Sequence, residues 1–264
     1  MSSTITTTAP APVTSNPEYT LPSATTVFSS LLKADLIAQW RNRRASIMVV
    51  LIPSIILISW KGLIEKFGGA FALSNCITVG LNAIGLMGYT NAIARDRDKG
   101  IFQRLRVTPA PRWTIIASRL MVQLVMITIT TLVLFLIGYQ FDHIQMSAKS
   151  YILAFGMAIV GGSVYLGLGQ MIVGLVKSQE TVNVTTRLVF FLFIMVGQFA
   201  SFEMLGVTLG DIANWSPYGT TKNVIAAALV PANWTHQTNM YLLASLGYTA
   251  IFTVFGIRYF RWTR

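Results

Sequence analysis

No Asp, Glu, Lys or Arg interrupts the chain between Phe67 and Ala94. That run outlasts the roughly 18 apolar residues needed to read as a membrane helix, and comparable runs recur along the chain. Backbone at membrane depth must satisfy its own hydrogen bonds, so such runs fold as helices. Composition agrees: 53% of the residues are hydrophobic and only 11% charged, with a mean hydropathy of +0.60, well outside the soluble globular range. The fold class is an all-α, polytopic membrane protein.

Six spans are predicted. The first covers about 45–63, with Pro53 kinking it, and the second lies within 67–94. The third covers about 113–138, the fourth lies within 150–176, and the sixth covers about 238–257. In the fourth, Ala158 with Gly162 and Ser163 with Gly167 are small pairs four apart, a spacing that permits close helix contact. The fifth begins near Leu188 and meets Glu203 after fifteen uncharged residues. At about 1.5 Å per residue that is too short for a hydrocarbon core of roughly 30 Å. An undersized span needs a re-entrant continuation or a partner subunit; the alternative is a loose outer loop.

Residues 1–26 are rich in Ser, Thr, Pro and Ala, carry no signal-peptide pattern, and are expected to form a disordered tail. Residues 27–44 read as an interfacial helix with Phe28, Leu31, Leu32, Leu36 and Trp40 roughly on one side, anchored by Trp40, Arg41, Arg43 and Arg44. Asp35 and Gln39 intrude on that side. A solvated basic linker is the alternative. The remaining 45–264 make up the six-span domain.

Charge orients the spans. With the N-terminus on one side and the loops alternating, only Lys61, Lys66, Lys149 and Lys222 of the twenty Lys and Arg fall on the opposite side. The whole formal net charge of +11 then lies on the N-terminal side. By the positive-inside rule both termini are cytoplasmic.

Seven of those cations crowd into the insert between the second and third spans: Arg95, Arg97, Lys99, Arg104, Arg106, Arg112 and Arg119. A basic loop is ordinary for the cytoplasmic side, and the aromatic interleaving of a nucleic-acid surface is absent. Two details go further. Acids alternate with bases from Arg95 to Lys99, and Gly100 then breaks the helix. A short apolar-basic helix follows, which Pro109 and Pro111 end before Trp113 opens the next span.

This insert resembles the segment after the second span in permeases of type-2 ABC transporters, especially the short six-span group that includes daunorubicin exporters. The matching elements are Arg95 to Lys99, Gly100, Ile101 and Phe102, Arg104 and Leu105, Thr108 and Pro109, and Arg112 and Trp113. The family often places Glu in the acidic-basic run, where Asp96 and Asp98 stand here. The resemblance implies a coupling helix that meets an ATPase, with Asp96, Arg97, Asp98, Gly100, Phe102, Arg104, Leu105, Arg106, Thr108 and Pro109 as coupling residues. Phe102 and Leu105 are the expected apolar anchors. A second resemblance lies after the fifth span, where Trp215-Ser216-Pro217-Tyr218 and the helix that follows look like the family's re-entrant pair.

What the resemblance implies about partners is specific. Two permease copies, identical or related, pair with two ATPase subunits in the bilayer, and no nucleic acid is involved. ATP and Mg are bound by the ATPase, and this chain binds no cofactor. Its own residues agree with that division, since a nucleotide loop ends in Gly-Lys-Ser/Thr and no Gly-Lys occurs in the sequence. Enzyme chemistry of its own is not expected: His143 and His236 stand alone, the single Cys76 sits in an apolar run, and no metal-ligand spacing exists.

The competing reading is an ATP-independent secondary transporter or channel. Such proteins normally carry ionisable residues at membrane depth, and between the span ends essentially none are found. Neutral polar residues do occur there. Asn75 and Asn82, seven apart, share one face of the second span. With Gln198, Phe199, Phe202 and Glu203 of the fifth they are the expected path or gate residues. The other role open to them is hydrogen bonding between helices. The function read from the chain is the permease of an ATP-driven exporter in a plasma membrane, bacterial in type, moving a hydrophobic or amphipathic small molecule or lipid.

Overall fold

The computed structural model describes residues 23–106, 112–202 and 204–259, with backbone alone at 43–45, 105, 106 and 112. Among the described residues every regular element is a helix. The tail up to residue 22 lies outside them. Helix α1 (Ala24–Arg41) starts where Ser23 accepts a hydrogen bond from the Thr26 amide, slightly before the expected interfacial segment. It ends at Arg41, and α2 (Arg43–Ser59) leaves at 60° to it.

Five helical segments are long and apolar enough to cross a membrane, and the bent pair α1–α2 supplies a sixth. The second span is compound. It runs through α4 (Gly69–Asn82), a π-helical stretch at Ala83–Thr90, and α5 (Asn91–Asp98). In the π stretch Thr90 Oγ1 donates to the Gly85 carbonyl at 2.7 Å, five residues back. A short α3 (Lys61–Phe67) precedes α4, and α6 (Ile101–Arg106) follows α5. The later crossings are α7 (Arg112–Gln140), α8 (Ala148–Leu175), α9 (Gln179–Ser201) and α12 (His236–Arg258), with α10 (Gly206–Trp215) and α11 (Pro217–Leu229) between the last two.

Helix α8 is the hub, packed against α12, α11, α7 and the π stretch. Its small residues explain how. On one edge Ser163 Oγ lies 3.1 Å from Thr249 Oγ1 of α12, and a Cβ at Gly167 would stand 3.3 Å from that of Phe252. On the other edge Ala158 is fully buried, and Gly162 abuts Ile127 of α7. Both small pairs expected from the sequence are therefore spent on close approach. A close backbone contact joins Gly85 to Tyr165, where an added Cβ would lie 2.7 Å from the Tyr165 carbonyl carbon. That contact sets the π stretch directly against the hub.

One expectation needs correction. The fifth span is not undersized, because α9 starts at Gln179 and takes Glu180 and Arg187 into its first turns. Its 23 residues reach about 34 Å at ~1.5 Å each, enough to cross. The two short helices expected after it are nevertheless present. Ser216 caps α11 by accepting from the Gly219 amide at 3.1 Å, and Pro217 occupies the first turn. Tyr218, Thr221, Val224, Ile225 and Ala228 of α11 are buried where it packs on α4, α8 and α12. By contrast α10 exposes Val207, Leu209 and Ile212.

Candidate functional site

The two ends of the bundle carry different chemistry. At the insert end, α5 carries the second span past the last apolar turn and Gly100, at φ +68°, reverses the chain into α6. A left-handed residue at that point is nearly cost-free only for glycine. Arg119 of α7 pairs with Asp96 of α5 at 2.8 Å and with Asp35 of α1 at 3.4 Å. Ser118 Oγ donates to the second oxygen of Asp35 at 2.7 Å. The polar intrusion on the apolar side of α1 is thus the end of an ionic link through three helices.

Arg97 makes a second tie. Its guanidinium donates to the carbonyls of Val173 at 2.6 Å and of Val176 and Lys177 at 2.8 Å each. Those are the carbonyls that a helix C-terminus leaves without intrahelical partners, and a cation is also favoured there by the helix dipole. Arg97 therefore caps α8 and fixes the second span to the fourth. Deeper along the same pair, Tyr89 donates to Gln170 Oε1 at 2.7 Å.

These contacts revise the expected coupling surface. Asp96 and Arg97 are only 8% and 5% exposed, and Phe102 is 2% exposed within the core. All three face the permease interior, so Phe102 anchors α6 to its own chain instead of presenting a knob to a partner. Asp98, Lys99, Gln103 and Arg104 are exposed on the outer face of the same turn. The side chains of Leu105 and Arg106, and the whole of Thr108 and Pro109, lie outside the described residues.

The seam between the second and fifth spans gathers the expected path residues. Asn75 and Asn82 are fully buried on the face of α4 that meets α9. Asn75 Nδ2 donates to the Phe71 carbonyl at 2.9 Å. Asn82 Nδ2 makes a long 3.4 Å bond to the Phe190 carbonyl. Asn82 Oδ1 and Gln198 Oε1 are buried without a hydrogen-bond partner among the described residues. Phe199 is exposed and Phe202 half-buried, while Glu203 lies outside the described residues. In this arrangement the seam is shut.

At the far end of α9 stands a residue that the sequence reading placed on the side opposite the N-terminus, in the short helix after Pro217, without giving it a role. Lys222 projects from α11, and its ammonium donates to Ser201 Oγ at 3.1 Å. Ser201 Oγ in turn lies 3.2 Å from Asn75 Oδ1 and 2.7 Å from the Gly197 carbonyl. No acid pairs with Lys222 among the described residues. The signal was available, since Lys222 is the one Asp, Glu, Lys or Arg between Asp211 and Arg258. Among the described residues no group of His, Cys, Asp and Glu is placed to hold a metal ion.

The fold is that of an all-α membrane protein. The model for ABC-2 type transporters matches residues 26–230, and the chain belongs to that family. The match runs from α1 to the end of α11. No curated protein matches the chain. The chain is accordingly a permease subunit of an ABC transporter, a component that lacks an ATPase site of its own and works with an ABC ATPase.

Proposed function

We propose that the chain is the membrane subunit of an exporter of the short six-span drug-exporter kind. It carries a hydrophobic or amphipathic small molecule or lipid outward across a bacterial plasma membrane. Two copies pair as a homodimer on two ATPase subunits, which bind ATP and Mg. Both termini and the insert face the cytoplasm, as the cation bias favours.

The observation that carries this reading is the way α6 is hung. Every inward side chain around it is tied to a different span: Asp96 to α7 and through Arg119 to α1, and Arg97 to the end of α8. A push on the exposed face at Asp98, Gln103 and Arg104 is thereby delivered to four helices together. Bistable packing of this kind converts a small displacement at one end into rearrangement at the other. The α4–α9 seam is the proposed route. Asn75, Asn82 and Gln198 would line it once it parts, with Phe199, Phe202 and Glu203 at its outer gate.

Leu105→Asp tests the coupling. The variant should insert normally and lose either co-purification with the ATPase or substrate-stimulated ATP hydrolysis, because apolar anchors ringed by charge dominate such contacts. Full coupling in that variant would reduce the insert to a topology signal.

A further inference from the structure

The outer end of the seam joins Lys222, a cation with no acid partner among the described residues, to a cluster of rings. Phe71, whose carbonyl accepts from Asn75, has its ring 5.8 Å from Phe202, 5.0 Å from Phe67 and 6.2 Å from Trp60. Phe202 follows Ser201, the hydroxyl that receives the Lys222 ammonium. Phe67 is 41% exposed and Lys66 sits over its ring at 5.2 Å, so the cluster keeps an accessible face. An aromatic surface therefore lies next to a charged donor whose structural partner is a neutral hydroxyl.

That combination is costly to hold for stability alone. A Lys removed from bulk water is normally matched by a carboxylate or withdrawn to an interface. Here the chain Lys222–Ser201–Asn75 ends on neutral groups. A seryl oxygen satisfies one of three ammonium protons. The remaining donors suit an oxyanion, and the rings suit the apolar body attached to it.

We infer that Lys222, with Ser201 and the ring cluster of Trp60, Phe67, Phe71 and Phe202, forms an outer binding site for an amphipathic anion, a carboxylate or phosphate carried on an apolar body. The site narrows the proposed cargo class and rests on the reading of the α4–α9 seam as the export route. Its position at the outer end of the seam makes it the last polar contact before release. A free organic anion and an anionic lipid headgroup present the same chemistry to it.

The test uses the permease with its ATPase in phosphatidylcholine nanodiscs and a fluorescent probe pair, 11-(dansylamino)undecanoic acid and its methyl ester. The acid should bind about tenfold more tightly than the ester, the worth of one charge-assisted contact. Lys222→Gln, which keeps a donor for Ser201, should bring that ratio close to one, and Lys222→Arg should retain it. Phe202→Leu should weaken acid and ester alike. Unchanged ester binding by Lys222→Gln serves as the check that the variant is folded. Adding phosphatidylglycerol to the discs separates the sources: competition with the acid assigns the site to a lipid headgroup, and lack of competition to a free anion.

An acid-to-ester ratio that survives Lys222→Gln would overturn the site. With the same complex in sealed proteoliposomes, binding that discriminates charge without ATP-driven transport of either probe would leave the site standing and sink the export reading. Transport without discrimination would do the reverse.

Discussion

The insert end of this bundle and the end opposite it handle charge in opposite ways. At the insert end, charges are held by other charges or dipoles: half-buried Asp35 and Arg119 form one ionic link with Asp96, whose Oδ2 meets Arg119 as an ion pair without a hydrogen bond, and Arg97 is spent on three carbonyls at the end of α8. Along the seam and at the end opposite the insert, Lys222 leans on a hydroxyl, and Asn82 and Gln198 leave carbonyl oxygens unmatched among the described residues. Matched buried charge holds helices in one register, because removing either partner strands the other in a poor solvent. Unmatched neutral groups tolerate separation, since each gives up little when the helices part. The bundle is tied by ions at the insert end and by neutral contacts along the seam.

The largest effect expected from breaking this contrast comes from Arg119→Ala. It strands Asp35 and Asp96 together and should lower stability by about 2–3 kcal/mol. That lies below the figure for a dry pair because the Arg119 side chain keeps 20% exposure. Thermal unfolding of the purified protein reads this directly, and an unchanged midpoint would remove the ionic link from the account. The smallest effect belongs to the other end. Asn82→Leu gives up one long hydrogen bond and an unpaired oxygen, so its cost should stay under about 1 kcal/mol. A loss as large as that of Arg119→Ala would show the seam to be as firmly held as the insert, and the contrast would fail.

Much of the fold was legible from the chain because membrane helices announce themselves by length and lack of charge. The small-residue edges of α8 and the break at Gly100 were read from local chemistry that tertiary packing did not override, and the helix opened by Ser216-Pro217 from the family resemblance. The length of α9 was misread for a definite reason. Glu180 and Arg187 were taken as loop residues, although the first turns of a crossing helix can stand in the interface with charges exposed. The π stretch left no mark, since Ala83 to Thr90 has the composition of any apolar helix, and Tyr165, which its Gly85 contacts, lies on another helix.

The site was legible by region and not by direction. Alternating charge singled out Arg95 to Lys99, but nothing local says that Asp96 and Arg97 turn inward. Their partners Arg119, Asp35 and the Val173 carbonyl lie on other helices. Phe102 likewise reads as a protruding anchor until the core behind it is seen. Asp35 was the one advance notice, an acid on an apolar face with no local reason to be there. Lys222 was countable in advance, yet its burial depends on α11 folding back against α4 and α8.

The central claim is that the insert end bears on the ATPase from the cytoplasm while the opposite end faces out. Gln103 is exposed on α6, and Asn239 lies in the first turn of α12 at the other end of the bundle. Single cysteines at these two positions, in a Cys76→Ala background, test it most directly. Gln103→Cys should resist a membrane-impermeant maleimide in intact cells and cross-link to the ATPase through a short bifunctional reagent. Asn239→Cys should be labelled from outside and form no such cross-link. Labelling of Gln103→Cys from outside, or cross-linking to the ATPase from Asn239→Cys, would contradict the account.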